Sequence, residues 1–186
     1  MGYDDVVLES DDRMQKSVEV LKNDFRGMRT GRAHPGLVEP IRVDYYGSPT
    51  PIRQLAQIMV PEANQLMIKA FDPTCLGDIE KAIQKSDLGI TPQNDGKVIR
   101  LTIPPLSEQR RKQLVSQAKE RAEAARISIR NVRRDGNKAA DELLSSSELG
   151  EDDFDKLKKE IDDITKTYTA QVDDALSAKT RELMES

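Results

Sequence analysis

From about Ser107 to Leu144, small and apolar side chains recur at helical spacing, and that run limits what the chain can build. Ala118, Ala122, Ala125, Ile129, Val132, Ala139 or Ala140, and Leu143 trace one seam. They predict a helix about 57 Å long at 1.5 Å per residue. A helix of that length cannot bury its seam alone, so other helices must run beside it. Two stretches supply them. Val7, Met14, Val18, Leu21, Phe25 and Met28 are spaced 7-4-3-4-3 within residues 5–29, the seam of a bundled helix. Phe154, Leu157, Ile161, Ile164, Tyr168, Val172 and Ala175 mark a third helix to about Met184. Asp4, Asp5 and Glu9 suit the positive end of the first helix dipole, and Asp152, Asp153 and Asp155 lie early in the third. Asp11 occupies an expected seam position and predicts looser packing there. Gly136 also lies on a seam, where it lowers helix propensity and admits a bend or a tight crossing. Ser145–Gly150 reads as a loop.

Residues 36–105 change character. Ile41–Tyr45 alternates with period two, and Tyr46–Pro51 supplies turn residues. Gln54–Val60 and Leu66–Phe71 read as strands separated by Pro61-Glu-Ala-Asn64. Leu76–Ile83 reads as a short amphipathic helix, and Val98–Ile103 as another strand after the turns at Asp87-Leu-Gly89 and Asn94-Asp-Gly96. Pro104-Pro105 ends the segment, since neither residue can donate to a ladder or continue a helix. The fold class expected is therefore α+β, with a long three-helix bundle (1–30 and 106–186) and a small α/β domain (31–105) inserted between its first and second helices. Two short stretches tether the insertion, at 30–35 and 104–106. Thr30, Gly31, Pro104 and Pro105 are the expected hinge.

The chain has 186 residues, 33% of them charged and 4% aromatic with no Trp, so aliphatic side chains must build its interior. Its net charge of −4 hides a segregation. Residues 106–147 carry ten basic and six acidic groups, whereas 148–186 carry six and twelve. An acidic protein thus contains one locally basic helix, and the acidic neighbour would orient a polyanion's approach. Lone Cys75 rules out an internal disulfide and fits a reducing compartment. No apolar run approaches the roughly 18–20 residues of a membrane span. The acidic start, Met1–Asp5, lacks a signal-peptide core, so a cytoplasmic location is expected.

Catalytic and metal-binding constellations are not found. His34 is the single histidine, so Cys–His catalysis and Cys/His metal sites lack partners. Cys75 reads as a small buried side chain. No P-loop or Gly-rich dinucleotide motif occurs, and no cofactor or enzyme activity is expected.

What stands out is Arg126-Ile-Ser-Ile-Arg-Asn-Val-Arg-Arg-Asp135. At roughly 100° per residue, Arg126, Arg130 and Arg133 lie within about 60° of one another, off the seam of Ile129 and Val132. Steps of seven residues back add Lys119 and Lys112, giving a basic stripe. Such a stripe suits a rod laid against a polyanion. It equally describes a solvated face whose arginines pair with acids one turn away, and Glu123 borders it. With no aromatic on this helix, RNA would be met through phosphates and shape rather than base edges. A coiled-coil-like adaptor with protein partners, or a hydrolase using scattered carboxylates, remains open from pattern alone.

Arg29-Thr-Gly-Arg-Ala33, Asp44–Pro51, Ser86–Gly89, Asn94–Gly96, Arg100–Leu106 and Arg130–Asp135 resemble, in order and across essentially the whole chain, the ribosome recycling factors. The terminal helix matches mainly in its acidic start and Arg181–Met184. The resemblance implies an L-shaped, monomeric translation factor of bacterial or organellar type. Its bundle would bind large-subunit rRNA across the region where tRNAs sit. Its smaller domain would swing about the hinge and meet elongation factor G, whose GTP hydrolysis splits the post-termination ribosome. The family's rRNA-contacting arginines map onto Arg130 and Arg133, with Arg29 and Arg32 as further contacts near the joint and Arg134 inside the motif.

Overall fold

Helix α1 (Tyr3–Arg26) leads into strands β1 (Arg42–Tyr45) and β2 (Ser48–Pro51), the one-turn helix α2 (Ile52–Leu55), and strands β3 (Ala56–Glu62) and β4 (Gln65–Ala70). Helix α3 (Leu76–Lys85), strands β5 (Gln93–Asn94) and β6 (Ile99–Thr102), and the long helices α4 (Glu108–Ser145) and α5 (Glu151–Glu185) complete the chain. The computed structural model describes residues Met1–Glu185. They divide into one unit of Met1–Phe25 with Lys112–Glu185, and a second of Arg26–Arg111.

Side-chain pairs fix the directions of the three helices in the first unit. Arg13–Asp135 (2.9 Å), Ser17–Ser128 (2.7 Å) and Asp24–Arg121 (3.2 Å) pair rising α1 numbers with falling α4 numbers, so these helices are antiparallel. Arg126–Asp173 (2.6 Å), Arg133–Asp162 (2.9 Å) and Asp141–Lys158 (3.0 Å) do the same for α4 and α5. The hydroxyls of Tyr3 and Tyr168 donate to Glu160 (2.8 Å) and Asp11 (2.9 Å), which sets α1 and α5 parallel. The result is a three-helix bundle, as the seams require.

The buried line of α1 is Val6, Ser10, Met14, Val18, Leu21 and Phe25. It departs from the expected seam at the start, where Val6 and Ser10 replace Val7. The cause lies opposite. A Cβ on Gly136 would sit 2.9 Å from Ser10 Oγ and 3.3 Å from Ile161 Cδ1. Gly136 therefore marks a tight three-helix crossing inside an unbroken α4. The space it leaves is filled by a serine that is 4% exposed, a polar residue that apolar periodicity cannot flag. Asp11 stands beside that line, half-buried, and accepts the Tyr168 hydrogen bond at 2.9 Å. On α5, Lys179 joins Leu157, Ile161, Val172 and Leu183 among the buried residues. Ile164, Tyr168 and Ala175 are half-buried.

In the second unit, β3-β4-β6-β5 form an antiparallel sheet. Leu66 faces Leu101 and Ile68 faces Ile99 across β4 and β6. All four are fully buried with Ile79 and Ile83 of α3, Val43 of β1 and Ile52, so the period-two pattern aims one face at the helix. Two local readings are corrected. Tyr46–Pro51 is more than a turn. Tyr46 and Gly47, at φ +50° and +80°, make a two-residue turn, and Ser48–Pro51 returns as β2. Gln54 and Leu55 belong to α2, and β3 runs through Pro61 to Glu62. Pro61 is tolerated because β3 is an edge strand whose register shifts between Met59 and Glu62.

Candidate nucleic-acid interface

Helix α4 begins after Pro104-Pro105, where Ser107 Oγ accepts the Arg110 amide at 3.1 Å and caps its first turn. Thirty-eight residues follow without a break. Leu114, Ala118, Ala122, Ala125, Ile129, Val132, Gly136, Ala140 and Leu143 are buried. That seam fixes where every other side chain of the helix points.

On the flank toward α5, the three arginines differ in what is left of them. Arg126 is consumed. Its Nε and Nη2 donate to Asp173 Oδ1 at 3.0 and 2.6 Å, and its Nη1 to Glu123 Oε2 at 3.3 Å, leaving the side chain 24% exposed. Arg130 uses Nη2 alone, donating to Glu123 Oε1 at 2.6 Å, and is 56% exposed. Arg133 sets Nε 2.9 Å from Asp162 Oδ1 and is 47% exposed. Hydrogen bonds from Arg130 and then Arg126 hold the Glu123 carboxyl below its ordinary range. The carboxylate of Asp173 keeps the Arg126 guanidinium above its own.

Lys119 and Arg134 are exposed with no ion pair among the described residues, and Lys112 is exposed nearer the start of the helix. Asp135 turns to Arg13 of α1, leaving Arg134 alone. The stripe is thus neither wholly free nor wholly neutralised. Arg130 and Arg133 keep unspent donors one turn apart, enough to hold adjacent phosphate oxygens.

Arg29 and Arg32 belong to the second unit. Arg32 is exposed. Arg29 is half-buried, donates from Nη1 to the Leu88 carbonyl at 3.2 Å, and keeps a buried Nε without a partner. It lines an open cleft of about 870 Å³ with Arg42, Lys81 and Lys85. Thr30, Gly31, Pro104 and Pro105 also lie in this unit. Gly31, at φ +76°, sits where a Cβ would be 3.5 Å from Leu106 and 3.8 Å from Pro105. The amides of Ala33 and Ile103 donate to the Ala63 and Asn64 carbonyls, both at 2.7 Å. The first tether, and the residue just before the second, are therefore fastened to the β3–β4 turn.

His34 accepts the Gly36 amide at 2.9 Å through Nδ1, capping a short turn. Cys75 is buried and donates to the Asp72 carbonyl at 3.0 Å, and its burial pushes the thiol pKa up. Among the described residues no three His, Cys, Asp or Glu side chains gather as metal ligands. No helix there is long and apolar enough to cross a membrane.

The acids of α5 are what sequence patterning missed. Asp162 and Asp173 are spaced for their own helix, and their meeting with Arg133 and Arg126 depends on the α4–α5 register. One signal was available. Lys158, Asp162 and Lys166 alternate in sign at four-residue steps, so they share a face.

Compared with known proteins, residues 21–184 match the family described as ribosome recycling factor. The chain is 46% identical over 182 residues to the ribosome-recycling factor of Renibacterium salmoninarum, covering 98% of each chain. It is 49% identical over 185 residues to that of Syntrophomonas wolfei, covering 97% of this chain and 98% of the relative. A solution structure of a ribosome recycling factor superposes with a TM-score of 0.81 at 39% identity, covering 99% of this chain and 98% of that one. A second structure, 38% identical with a TM-score of 0.70 and covering 98% and 99%, comes from models of the T. thermophilus ribosome recycling factor and the E. coli elongation factor G bound to the E. coli post-termination complex.

Proposed function

This chain belongs to the ribosome recycling factor family, and on that premise we propose that it acts as a non-catalytic wedge on the post-termination ribosome. The three-helix unit binds rRNA of the large subunit through the α4 arginine edge. The inserted α/β unit moves about its two tethers and meets elongation factor G. GTP hydrolysis on that partner then drives separation of the subunits, which re-enter translation. The chain works as a monomer in the cytoplasm and needs no cofactor of its own.

The observation that carries this is the half-spent arginine pair. Arg130 and Arg133 stand exposed on a helix held rigid along its seam, each with guanidinium nitrogens its carboxylate does not take. Such donors, one turn apart, fit a phosphate backbone and carry no sequence preference. Nothing catalytic is asked of them, because the partner supplies the hydrolysis.

Sedimentation of the purified chain with isolated subunits tests this directly. Co-sedimentation with large but not small subunits, weakening steeply with salt, is expected. Added elongation factor G and GTP should then split post-termination ribosomes at a rate that depends on the chain. Binding indifferent to salt would favour an adaptor with protein partners. Failure to split ribosomes with both partners present would overturn the functional assignment.

A further inference from the structure

Asp162 touches Arg133 from the neighbouring helix in a way Asp173 does not touch Arg126. Asp173 and Glu123 between them occupy all three nitrogens of Arg126, which is therefore an interhelical strut. Asp162 approaches Arg133 most closely at Nε, 2.9 Å away. The Nη1 and Nη2 edge makes no hydrogen bond among the described residues, and the side chain is 47% exposed. An arginine unsupported at such exposure would sample many rotamers, and ordering it on a phosphate would cost affinity. A carboxylate at Nε orders it beforehand and leaves the terminal edge to the ligand. Competition between carboxylate and phosphate would require both to seek the same nitrogens. Here they need not. The flanking residues leave Asp162 to Arg133, since of the lysines one turn to either side of it Lys158 pairs with Asp141 of α4 at 3.0 Å and Lys166 has no ion partner among the described residues.

We propose that Asp162 is a positioning residue of the rRNA interface, holding Arg133 by Nε so that its free guanidinium edge meets a phosphate of the large subunit. This rests on the binding mode given under Proposed function. It makes a counterintuitive demand: deleting a negative charge beside bound RNA must weaken binding.

The test uses the full chain and isolated large subunits, with affinity measured across a salt series. Variants are Asp162→Ala, Arg133→Ala, the double variant, and Asp163→Ala. Asp163 is exposed, adjacent, and has no arginine partner among the described residues, so its loss removes the same charge about 100° around the helix. Asp162→Ala is expected to weaken binding about two- to ten-fold, the cost of ordering one long side chain. Asp163→Ala should leave binding unchanged or tighten it. In the Arg133→Ala background, Asp162→Ala should cause no further loss, an outcome a general structural role would not produce. Wild-type or tighter binding by Asp162→Ala, with Arg133→Ala still weakened, would overturn the positioning role and leave the interface standing. Equal losses from Asp162→Ala with and without Arg133 would also overturn it, as would an equal loss from Asp163→Ala. Unchanged binding by Arg133→Ala would instead remove the interface itself, and this role with it.

Discussion

Tyr168 reaches across from α5 to donate to Asp11 of α1, and Tyr3 does the same in reverse to Glu160. Burial first, and then these carboxylate partners, push both phenols from an ordinary 10 up to about 12. A pKa raised on folding stabilises the protonated form. Their contribution is therefore whole below about pH 10 and disappears as pH rises through about 12. Melting temperature should fall more steeply between pH 10 and 12 in the wild type than in a Tyr3→Phe, Tyr168→Phe double variant. Parallel curves would contradict the assignment. At pH 7 Tyr168→Phe alone should cost about 1 kcal/mol, or about 2–4 °C in melting temperature. Cys75 is a different case, because its thiol is buried and its pKa raised by that burial. Native alkylation should be slow, and Cys75→Ala should split ribosomes at the wild-type rate. Lost splitting at unchanged thermal stability would show a working thiol.

Among the elements, α4 depends on the crossing at Gly136. Ala is about 1 kcal/mol better than Gly in a helix interior, yet a Cβ there meets Ser10 Oγ at 2.9 Å and Ile161 Cδ1 at 3.3 Å. Gly136→Ala should therefore destabilise by about 1–2 kcal/mol net of that gain, and adding Ser10→Ala should recover most of the loss. Denaturant titration of the two variants checks this, and equal stability for both would mean that Ser10 is not the obstacle. At the tethers, Gly31 holds φ +76° against Leu106 and Pro105, which proline cannot adopt. Gly31→Pro is expected to spare large-subunit binding and impair splitting, and splitting at the normal rate would dispose of the hinge. The three long helices and most strands were legible because their apolar spacing runs for many residues. Ser10 was not, since a polar residue becomes core only where a glycine opposite makes room. Nor was β2, whose prolines read as punctuation until the Tyr46–Gly47 turn pairs it with β1.

For the whole molecule, an acidic chain presents one arginine edge beside an acidic helix, and that edge carries the functional account. The stripe of Arg126, Arg130 and Arg133 was visible in the sequence as a face. Its division into a strut and two half-free donors was not, because Asp162 and Asp173 meet it only through the α4–α5 register. The most direct test is Arg133→Ala, with Arg133→Lys beside it, in large-subunit binding across a salt series together with melting temperature. Loss of an exposed arginine should change stability by no more than about 0.5 kcal/mol. A charged hydrogen bond of roughly 1.5–3 kcal/mol should vanish from the complex. Binding should then weaken by about ten- to a hundred-fold, with a salt slope shallower by about one unit. Arg133→Lys should recover only part of it, since an ammonium lacks the planar edge. Wild-type affinity and salt slope in Arg133→Ala would contradict the account, and lost binding with a collapsed melting temperature would make Arg133 a structural residue instead.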